Sequence, residues 1–111
     1  MDVFSALADD TRRDILEMLA RRGKLSASNI YRKFDVTHPA ISQHLKILRE
    51  AKLVDVKKQA QRRIYQINPK KITELEGWLR QMTKTWNERF ERLDKILAKE
   101  KRKAVKKYGK K

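Results

Sequence analysis

The chain has 111 residues, and its 29 Lys and Arg against 14 Asp and Glu give a formal net charge of +15. This length allows one domain with a modest core, and this charge favours a polyanionic partner, either a nucleic acid or an anionic membrane surface. The absence of cysteine excludes disulfides and thiolate metal sites, and no signal-peptide or bilayer-spanning pattern is present, so we expect a cytoplasmic protein.

The first two predicted helices are short and amphipathic. One face of the first comprises Val3, Phe4 and Leu7. Asp9 and Asp10 then offer an N-cap and a favourable charge for the second helix, which stops at Gly23. The apolar stripe of that second helix comprises Ile15, Leu16 and Leu19, with Met18 at its edge.

Two further helices follow, joined by the tight link 35–37. Ser26 is the predicted N-cap of the third helix, and Thr37 that of the fourth, which spans 38–51 with Pro39 in its first turn. The inward positions of the third helix are Ala27, Ile30, Tyr31 and Phe34, and those of the fourth are Ile41, Leu45 and Leu48.

The periodicity then changes from helix to strand and back to helix. Residues 53–58 and 63–67 alternate by twos, which predicts two antiparallel strands joined by a polar, basic connection without glycine. Pro69 opens a long final helix with an apolar stripe that only Arg89 interrupts. The stripe comprises Ile72, Leu75, Leu79, Met82, Trp86, Leu93 and Ile96, widened by Trp78, Phe90 and Leu97.

The apolar pattern fades at Lys99, where a basic tail begins. Residues 99–111 carry eight positive side chains against Glu100, a net charge of +7. We therefore expect one domain over residues 1–98 and a flexible basic tail over 99–111.

This order of elements predicts a DNA-binding domain. The second helix of a helix-turn-helix enters the major groove, the first braces it, and a basic ribbon reaches the flanking DNA. Gln43 can read adenine, Ser42 can bond a base or a phosphate, and Lys46 is expected on phosphate. The predicted DNA-binding residues are Thr37, His38, Pro39, Ser42, Gln43 and Lys46 on the helix, and Lys57, Lys58, Gln61, Arg62 and Arg63 on the ribbon.

Four segments of the chain carry a resemblance to a known family. The segments 6–16 (ALADDTRRDIL), 34–49 (FDVTHPAISQHLKILR), 51–54 (AKLV) and 62–65 (RRIY) resemble motifs of the ArsR/SmtB transcriptional regulators. The resemblance covers residues 3 to 68. It implies a mainly α winged helix-turn-helix fold with a small β-hairpin, five helices and a long C-terminal dimerisation helix. It also implies a dimeric repressor that binds a palindromic operator and is released by an inducer or a changed condition.

The chain departs from the family pattern at several positions. Asp10 stands in place of a proline, and Lys52 in place of the glycine that precedes the wing. Ser26 and Ser28 occupy the positions of the Cys-x-Cys pair that metal-sensing members carry, and the last helix has no histidine. Because neutral hydroxyls are poor ligands for soft or borderline metals, the chain resembles the branch without metal ligands, and we predict no metal or other cofactor.

Homodimerisation is the expected role of the two terminal helices. A stripe nearly thirty residues long exceeds what a domain of this size needs internally. The predicted interface comprises Val3, Phe4, Leu7, Leu79, Met82, Trp86, Phe90 and Leu93.

The two histidines, His38 and His44, are six positions apart without a third ligand, so neither is expected to bind metal. We expect His44 to pack or to hydrogen-bond, and His38 to meet DNA. No phosphate loop, thiol nucleophile or ligand-spaced cluster is present, so an enzyme is not expected.

Three other interpretations stay open alongside a sequence-specific, nucleoid-associated regulator. The net charge also suits an architectural protein that coats DNA with little sequence preference. A small-molecule effector can sit between the terminal helices of a dimer, near Trp78, Trp86 and Phe90. Membrane attachment through the tail is the weakest, since Ala104, Val105 and Tyr108 give little to insert.

Overall fold

The computed structural model describes residues 2–108, with side chains through Lys103, and it divides into two compact units between Thr73 and Glu74. Five helices and three strands occur in the described part. In chain order they are α1 (Val3–Leu7), α2 (Asp10–Arg22), β1 (Leu25–Ser26), α3 (Ala27–Lys33), α4 (His38–Glu50), β2 (Val54–Gln59), β3 (Arg62–Ile67) and α5 (Pro69–Tyr108). The predicted fold class is confirmed.

The helix starts are those that the capping residues predict. The Asp9 carboxylate accepts a hydrogen bond from the Arg12 amide at 3.0 Å. The Ser26 hydroxyl accepts from the Asn29 amide at 3.2 Å, and the Thr37 hydroxyl from the Ala40 amide at 3.2 Å. Each cap satisfies one of the amides that the first turn leaves without an intrahelical partner.

The core of the first unit lies where helices α2, α3 and α4 face the sheet. The largest fully buried side chains are Ile15, Leu19, Ile30, Ile41, Leu45, Leu48, Leu53 and Val54. The predicted inward faces of α2 and α4 are therefore confirmed. On α3 only Ile30 is buried, while Ala27, Tyr31 and Phe34 are half-buried and pack against the core.

The sheet has one strand more than the predicted hairpin. Strands β2 and β3 pair antiparallel around a two-residue turn, at which Ala60 has a φ of 54°. Strand β1 pairs antiparallel with the other edge of β3, with Leu25 opposite Tyr65. A two-residue strand has no alternation to detect, so sequence periodicity did not indicate β1.

Lys52 forms the connection from α4 to the wing. Its φ is 63°, in the left-handed region that favours glycine. Its amide donates to the Arg49 carbonyl at 2.9 Å, and the Leu53 amide donates to the Leu48 carbonyl at 3.0 Å. These two bonds form a Schellman motif with Lys52 at the position where glycine is usual. The wing therefore begins as the family pattern requires, with a strained lysine in place of the glycine.

Lys52→Gly is accordingly expected to raise the free energy of unfolding by about 1 kcal/mol, because glycine adopts this φ without the clash of a Cβ. Chemical denaturation measures the change. Lys52→Ala is the matched control, since it removes the side chain but keeps the Cβ, and its stability should stay within about 0.5 kcal/mol of the parent. Equal stabilisation by both variants would contradict this account of the strain.

Helix α5 begins at Pro69, as predicted, and is continuous through Tyr108. Asn68 caps its start, since its side-chain oxygen accepts from the Lys70 amide at 3.1 Å. Residues 99–108 are helical, and 109–111 lie outside the described residues, so a flexible tail over 99–111 stays a prediction. None of the described helices is apolar over a length sufficient to cross a membrane.

Candidate nucleic-acid interface

Helix α4 divides into a buried face and a polar face. Ile41, Leu45 and Leu48 are at most 1% exposed and anchor it in the core. The predicted DNA-binding residues of α4, the reading residues, all lie on the exposed side, with Thr37 just before the helix. They are Thr37, His38, Pro39, Ser42, Gln43 and Lys46. A helix anchored on one side with short polar groups on the other can enter a major groove without steric obstruction.

His38, at the first position of α4, stacks on Tyr31 of α3. The two ring centroids are 4.6 Å apart and the planes are inclined by 14°. Tyr31 is half-buried against the core, whereas His38 is exposed. The stack therefore holds the start of α4 against the bracing helix and leaves the imidazole accessible. That His38 meets DNA stays a prediction.

His44 lies on the flank of α4 and faces α2. Its Nδ1 is 3.2 Å from Nη1 of Arg12 and 3.7 Å from a carboxylate oxygen of Asp9. Because a guanidinium only donates hydrogen bonds, Nδ1 accepts from Arg12 when the ring is neutral, and the same nitrogen faces the Asp9 carboxylate as an ion-pair partner when the ring is protonated. The predicted hydrogen-bonding role of His44 is confirmed.

Arg12 joins three helices through the same guanidinium. Its Nε donates to the Ala6 carbonyl at 2.7 Å, and its Nη2 donates to the Ser5 carbonyl at 3.0 Å. These carbonyls lie at the end of α1, where intrahelical donors run out. Arg12 thus ties α1 to α2 and, through His44, to the helix that carries the reading residues. The sequence motif contained Arg12, but nothing in it indicated this role.

The Asp9 pKa is lowered, chiefly because its carboxylate accepts the hydrogen bond from the Arg12 amide, with further stabilisation from the charges of His44 and Arg12. A carboxyl whose pKa is lower in the folded state stabilises the fold at pH values above its ordinary pKa of 3.8. That contribution is lost as the pH falls through the folded-state pKa.

We therefore expect the free energy of unfolding to decrease as the pH is lowered below about 4. Denaturation from pH 6 to pH 2 measures it. Asp9→Asn, which keeps an acceptor without the titration, should show a shallower acid decline; an unchanged decline would contradict this assignment.

The wing presents its basic residues beyond the end of the core. Strand pairing places Lys58 directly opposite Arg63, and Gln59 opposite Arg62. The predicted wing residues are all exposed; they are Lys57, Lys58, Gln61, Arg62 and Arg63. Two like charges directly opposite each other on one face of a sheet are destabilising by themselves, and a polyanion between them removes that cost.

A cleft of about 230 Å³ lies between the start of α3 and the wing. Ser26, Ala27 and Ser28 line one side, and Gln61, Arg62 and Arg63 line the other. The β1–β3 pairing brings these segments together. The sequence predicts Ser26 as an N-cap and places both serines where metal-sensing members carry cysteines, but no local pattern indicates that they lie beside the wing.

The residues predicted for dimerisation fall into two groups. Val3 and Leu7 are half-buried and pack on the core of the first unit, while Phe4 is 52% exposed. In the second unit, all the predicted residues are 51% to 64% exposed; they are Leu79, Met82, Trp86, Phe90 and Leu93.

Among the described residues, no cluster of three or more His, Asp or Glu can hold a metal ion.

The buried anchor of α4, the bracing helix α3 and the basic β2–β3 hairpin define a winged helix-turn-helix DNA-binding protein. A helix-turn-helix domain family matches residues 7–57. The chain is 41% identical over 85 residues to the HTH-type transcriptional regulator Rv2034 of Mycobacterium tuberculosis, covering 72% of this chain and 78% of that protein. It is 33% identical over 78 residues to the transcriptional repressor SdpR of Bacillus subtilis, covering 70% and 86%.

The solved structures agree. The structure of an ArsR-like transcriptional regulator from Rhodococcus sp. RHA1 is similar with a TM-score of 0.76 and 30% identity, over 85% of this chain and 88% of that one. The chain therefore belongs to the ArsR family of DNA-binding transcriptional regulators.

Proposed function

We propose that the chain is a homodimeric, sequence-specific repressor that binds a palindromic operator in double-stranded DNA. Helix α4 lies in the major groove, and wing residues 57–63 lie on the flanking DNA. The observation that carries the proposal is the exposed polar face of α4, anchored from behind by three buried side chains and flanked by the basic hairpin. The repressor SdpR, to which the chain is similar, supports repression as the direction of regulation.

Each part of the surface has a distinct role in this proposal. Gln43 and Ser42 read base edges, because an amide and a hydroxyl match the donors and acceptors of the major groove. Thr37 and Lys46 contact phosphates and set the register of the helix. Lys58 and Arg63 share a phosphate, which removes the repulsion between them. The repressor acts in the cytoplasm, on the nucleoid.

The dimer forms through α1 and α5, so that two copies of α4 address two half-sites. The large apolar side chains exposed on α5 support this arrangement, because soluble monomers rarely leave such a stripe uncovered. An effector that binds between terminal helices, near the exposed Trp78, Trp86 and Phe90, is the proposed means of release.

Selection of bound sequences from a random DNA pool at near-physiological salt tests the proposal. We expect a palindromic motif whose half-sites are about one helical turn apart. Specific DNA should bind at least about a thousandfold more tightly than random DNA. Tight binding with no enriched motif, and with competition by random DNA within about tenfold, would overturn the proposal in favour of an architectural protein, to which the charge of +15 is also suited.

Removal of residues 99–111 is expected to weaken binding to all DNA sequences alike, because it removes a net charge of +7 from each subunit. The dependence of log affinity on log salt should become shallower by at least about 2 for the dimer, corresponding to about two lost phosphate contacts. Titrations at several salt concentrations measure this slope. A full-length variant with the eight tail cations changed to glutamine is the control for length, and it should behave like the truncation. A loss confined to the operator would contradict the proposed electrostatic role.

A further inference from the structure

The rings of Tyr31 and His38 form a stack at the junction of α3 and α4. Their centroids are 4.6 Å apart and their planes are inclined by 14°, so the two rings are nearly parallel. Tyr31 is half-buried and packs against the core, next to the fully buried Ile30, which fixes the position of its ring. His38 is exposed. Since the nitrogens of an imidazole lie in the plane of the ring, the stack covers one face of His38 and leaves its nitrogens accessible at the edge.

The start of α4 has few backbone donors to offer a phosphate. A helix usually presents several unpaired amides in its first turn, and these can bind an anion. Here the second position is Pro39, which has no amide hydrogen, and the Ala40 amide donates to the Thr37 hydroxyl at 3.2 Å. The Ile41 amide donates to the Thr37 carbonyl at 3.1 Å. At most the amide of His38 remains for a phosphate, so a strong contact with DNA at this point has to come from a side chain.

A protonated His38 is suited to that contact. A protonated imidazole donates at both nitrogens and forms charge-assisted hydrogen bonds with phosphate. A cation within about 6 Å of an aromatic centroid is attracted to the face of the ring, and the centroid of Tyr31 lies at 4.6 Å. The helix start by itself disfavours a cation, because the positive ends of the peptide dipoles point there. A phosphate reverses this balance, since an anion is favoured by the helix start and by the imidazolium alike.

We propose that Tyr31 is a positioning residue for DNA binding, which holds the imidazole of His38 so that its protonated edge donates a hydrogen bond to one operator phosphate in each half-site. This inference rests on the proposed repressor and adds to it a contact and a pH dependence. The contact requires the charged ring, so binding takes up a proton wherever the free ring is neutral. Operator affinity is therefore highest at low pH and declines as the pH rises through the range in which histidine loses its charge.

The groups around His38 leave the phosphate as the source of this dependence. The titratable group that faces the imidazole from α3 is Tyr31 itself, and a phenol does not ordinarily change its charge between pH 5 and 8. Arg32 and Lys33 follow on α3, and Asp35 lies in the link to α4; all three are exposed. None of the ion pairs among the described residues involves His38.

The pH dependence of DNA affinity tests the contact. The full-length chain is titrated at constant salt, at pH 8 and at pH 6, with the palindromic duplex recovered from the random pool. From pH 8 to pH 6 the parent should gain at least about fivefold more affinity than His38→Gln, because each subunit adds one charge-assisted contact. His38→Gln keeps a polar side chain at this exposed position and leaves His44 in place, so the comparison subtracts every other titration. Equal pH profiles of the two proteins would overturn the proposal.

The salt dependence identifies the partner of His38 as an anion. At pH 6 the slope of log affinity against log salt should be steeper than at pH 8 by about 1 to 2 for the dimer, because up to two further phosphates are neutralised. For His38→Gln the slopes at the two pH values should differ by less than about 0.5.

Neutral backbone substitutions in the DNA locate the contact. A single methylphosphonate, which has no charge, is placed at each phosphate of one half-site in turn. At one position it should remove that half-site's share of the difference in pH profile between the parent and His38→Gln. If no phosphate position does so and a base substitution does, His38 reads a base, and the assignment to phosphate is wrong.

Matched variants test the role of Tyr31. Tyr31→Phe keeps the ring face and should retain the pH dependence of the parent. Tyr31→Leu and Tyr31→Met fill the space against the core without a ring, and both should reduce the change in affinity between pH 8 and pH 6 to less than about twofold beyond that of His38→Gln. A purely structural role would lower affinity equally at both pH values. Circular dichroism checks that the variants fold, and Asp35→Asn, a change of charge in the link, should leave the profile unchanged.

The outcomes separate this inference from the proposed repressor. A selection without an enriched motif would overturn both. A palindromic motif that the parent and His38→Gln bind with the same pH profile would overturn the contact and leave the repressor standing. A parent-like profile in the folded Tyr31→Leu or Tyr31→Met variant would overturn the positioning role of Tyr31.

Discussion

Replacing Arg12 with alanine is expected to lower the free energy of unfolding by about 2 to 3 kcal/mol, the range for the loss of hydrogen bonds from a charged group. The guanidinium donates to the Ser5 and Ala6 carbonyls and contacts Nδ1 of His44. Its removal leaves the end of α1 without these donors and takes away one contact between α4 and α2. Chemical denaturation measures the loss.

Arg21→Ala is the matched control for Arg12→Ala, because Arg21 lies on the same helix and is exposed. Its effect should stay within about 0.5 kcal/mol, as for an ordinary surface substitution. Arg12→Lys is informative as well, since an ammonium group cannot reproduce the fork of three contacts and should recover less than half of the loss. Full stability of Arg12→Lys would show that charge alone, rather than the geometry of the guanidinium, holds the helices together.

Replacing Gln43 with alanine is expected to change base preference at one position in each half-site by about 1 to 3 kcal/mol, or roughly five- to 150-fold. The physical reason is the loss of the side-chain amide, which can bond both N6 and N7 of an adenine. Binding of the variant to operators with each base at each position measures the change. Ser42→Ala should act in the same way at a neighbouring position.

Gln81→Ala provides the control for Gln43→Ala, since it makes the same substitution at an exposed position of α5. It should leave the preference at every operator position unchanged. If Gln43→Ala instead weakened binding to all operator variants by the same factor, Gln43 would be a phosphate contact, and the assignment of the reading face would be wrong.

The helix ends and the inward faces of the helices were predictable because their causes are local. Each N-cap at Asp9, Ser26 and Thr37 acts on an amide only three residues away. The stripe of α4 repeats within two turns, so it indicates which face is buried without knowledge of what covers it. The same stripe implies the exposed face, and the candidate reading residues followed from it.

The contacts that join one element to another could not be predicted from the sequence, because they depend on long-range packing. Arg12 and His44 are 32 residues apart, and neither residue type nor spacing indicates that they meet. The stack of His38 on Tyr31 and the cleft between Ser28 and the wing have the same origin. Each depends on how helices settle over a shared core, which is a property of the whole set of buried side chains.

Lys52 shows where local and long-range causes meet. In the sequence, Lys52 is a departure from the glycine that the family pattern has before the wing. In the structure, Lys52 adopts the left-handed conformation, and its carbonyl accepts a hydrogen bond from the Asn68 side chain at 2.9 Å. Backbone preference alone disfavours that conformation, and the surrounding Schellman motif and core impose it. Local residue preferences therefore account for the elements and their faces, whereas the contacts between elements depend on the packed fold.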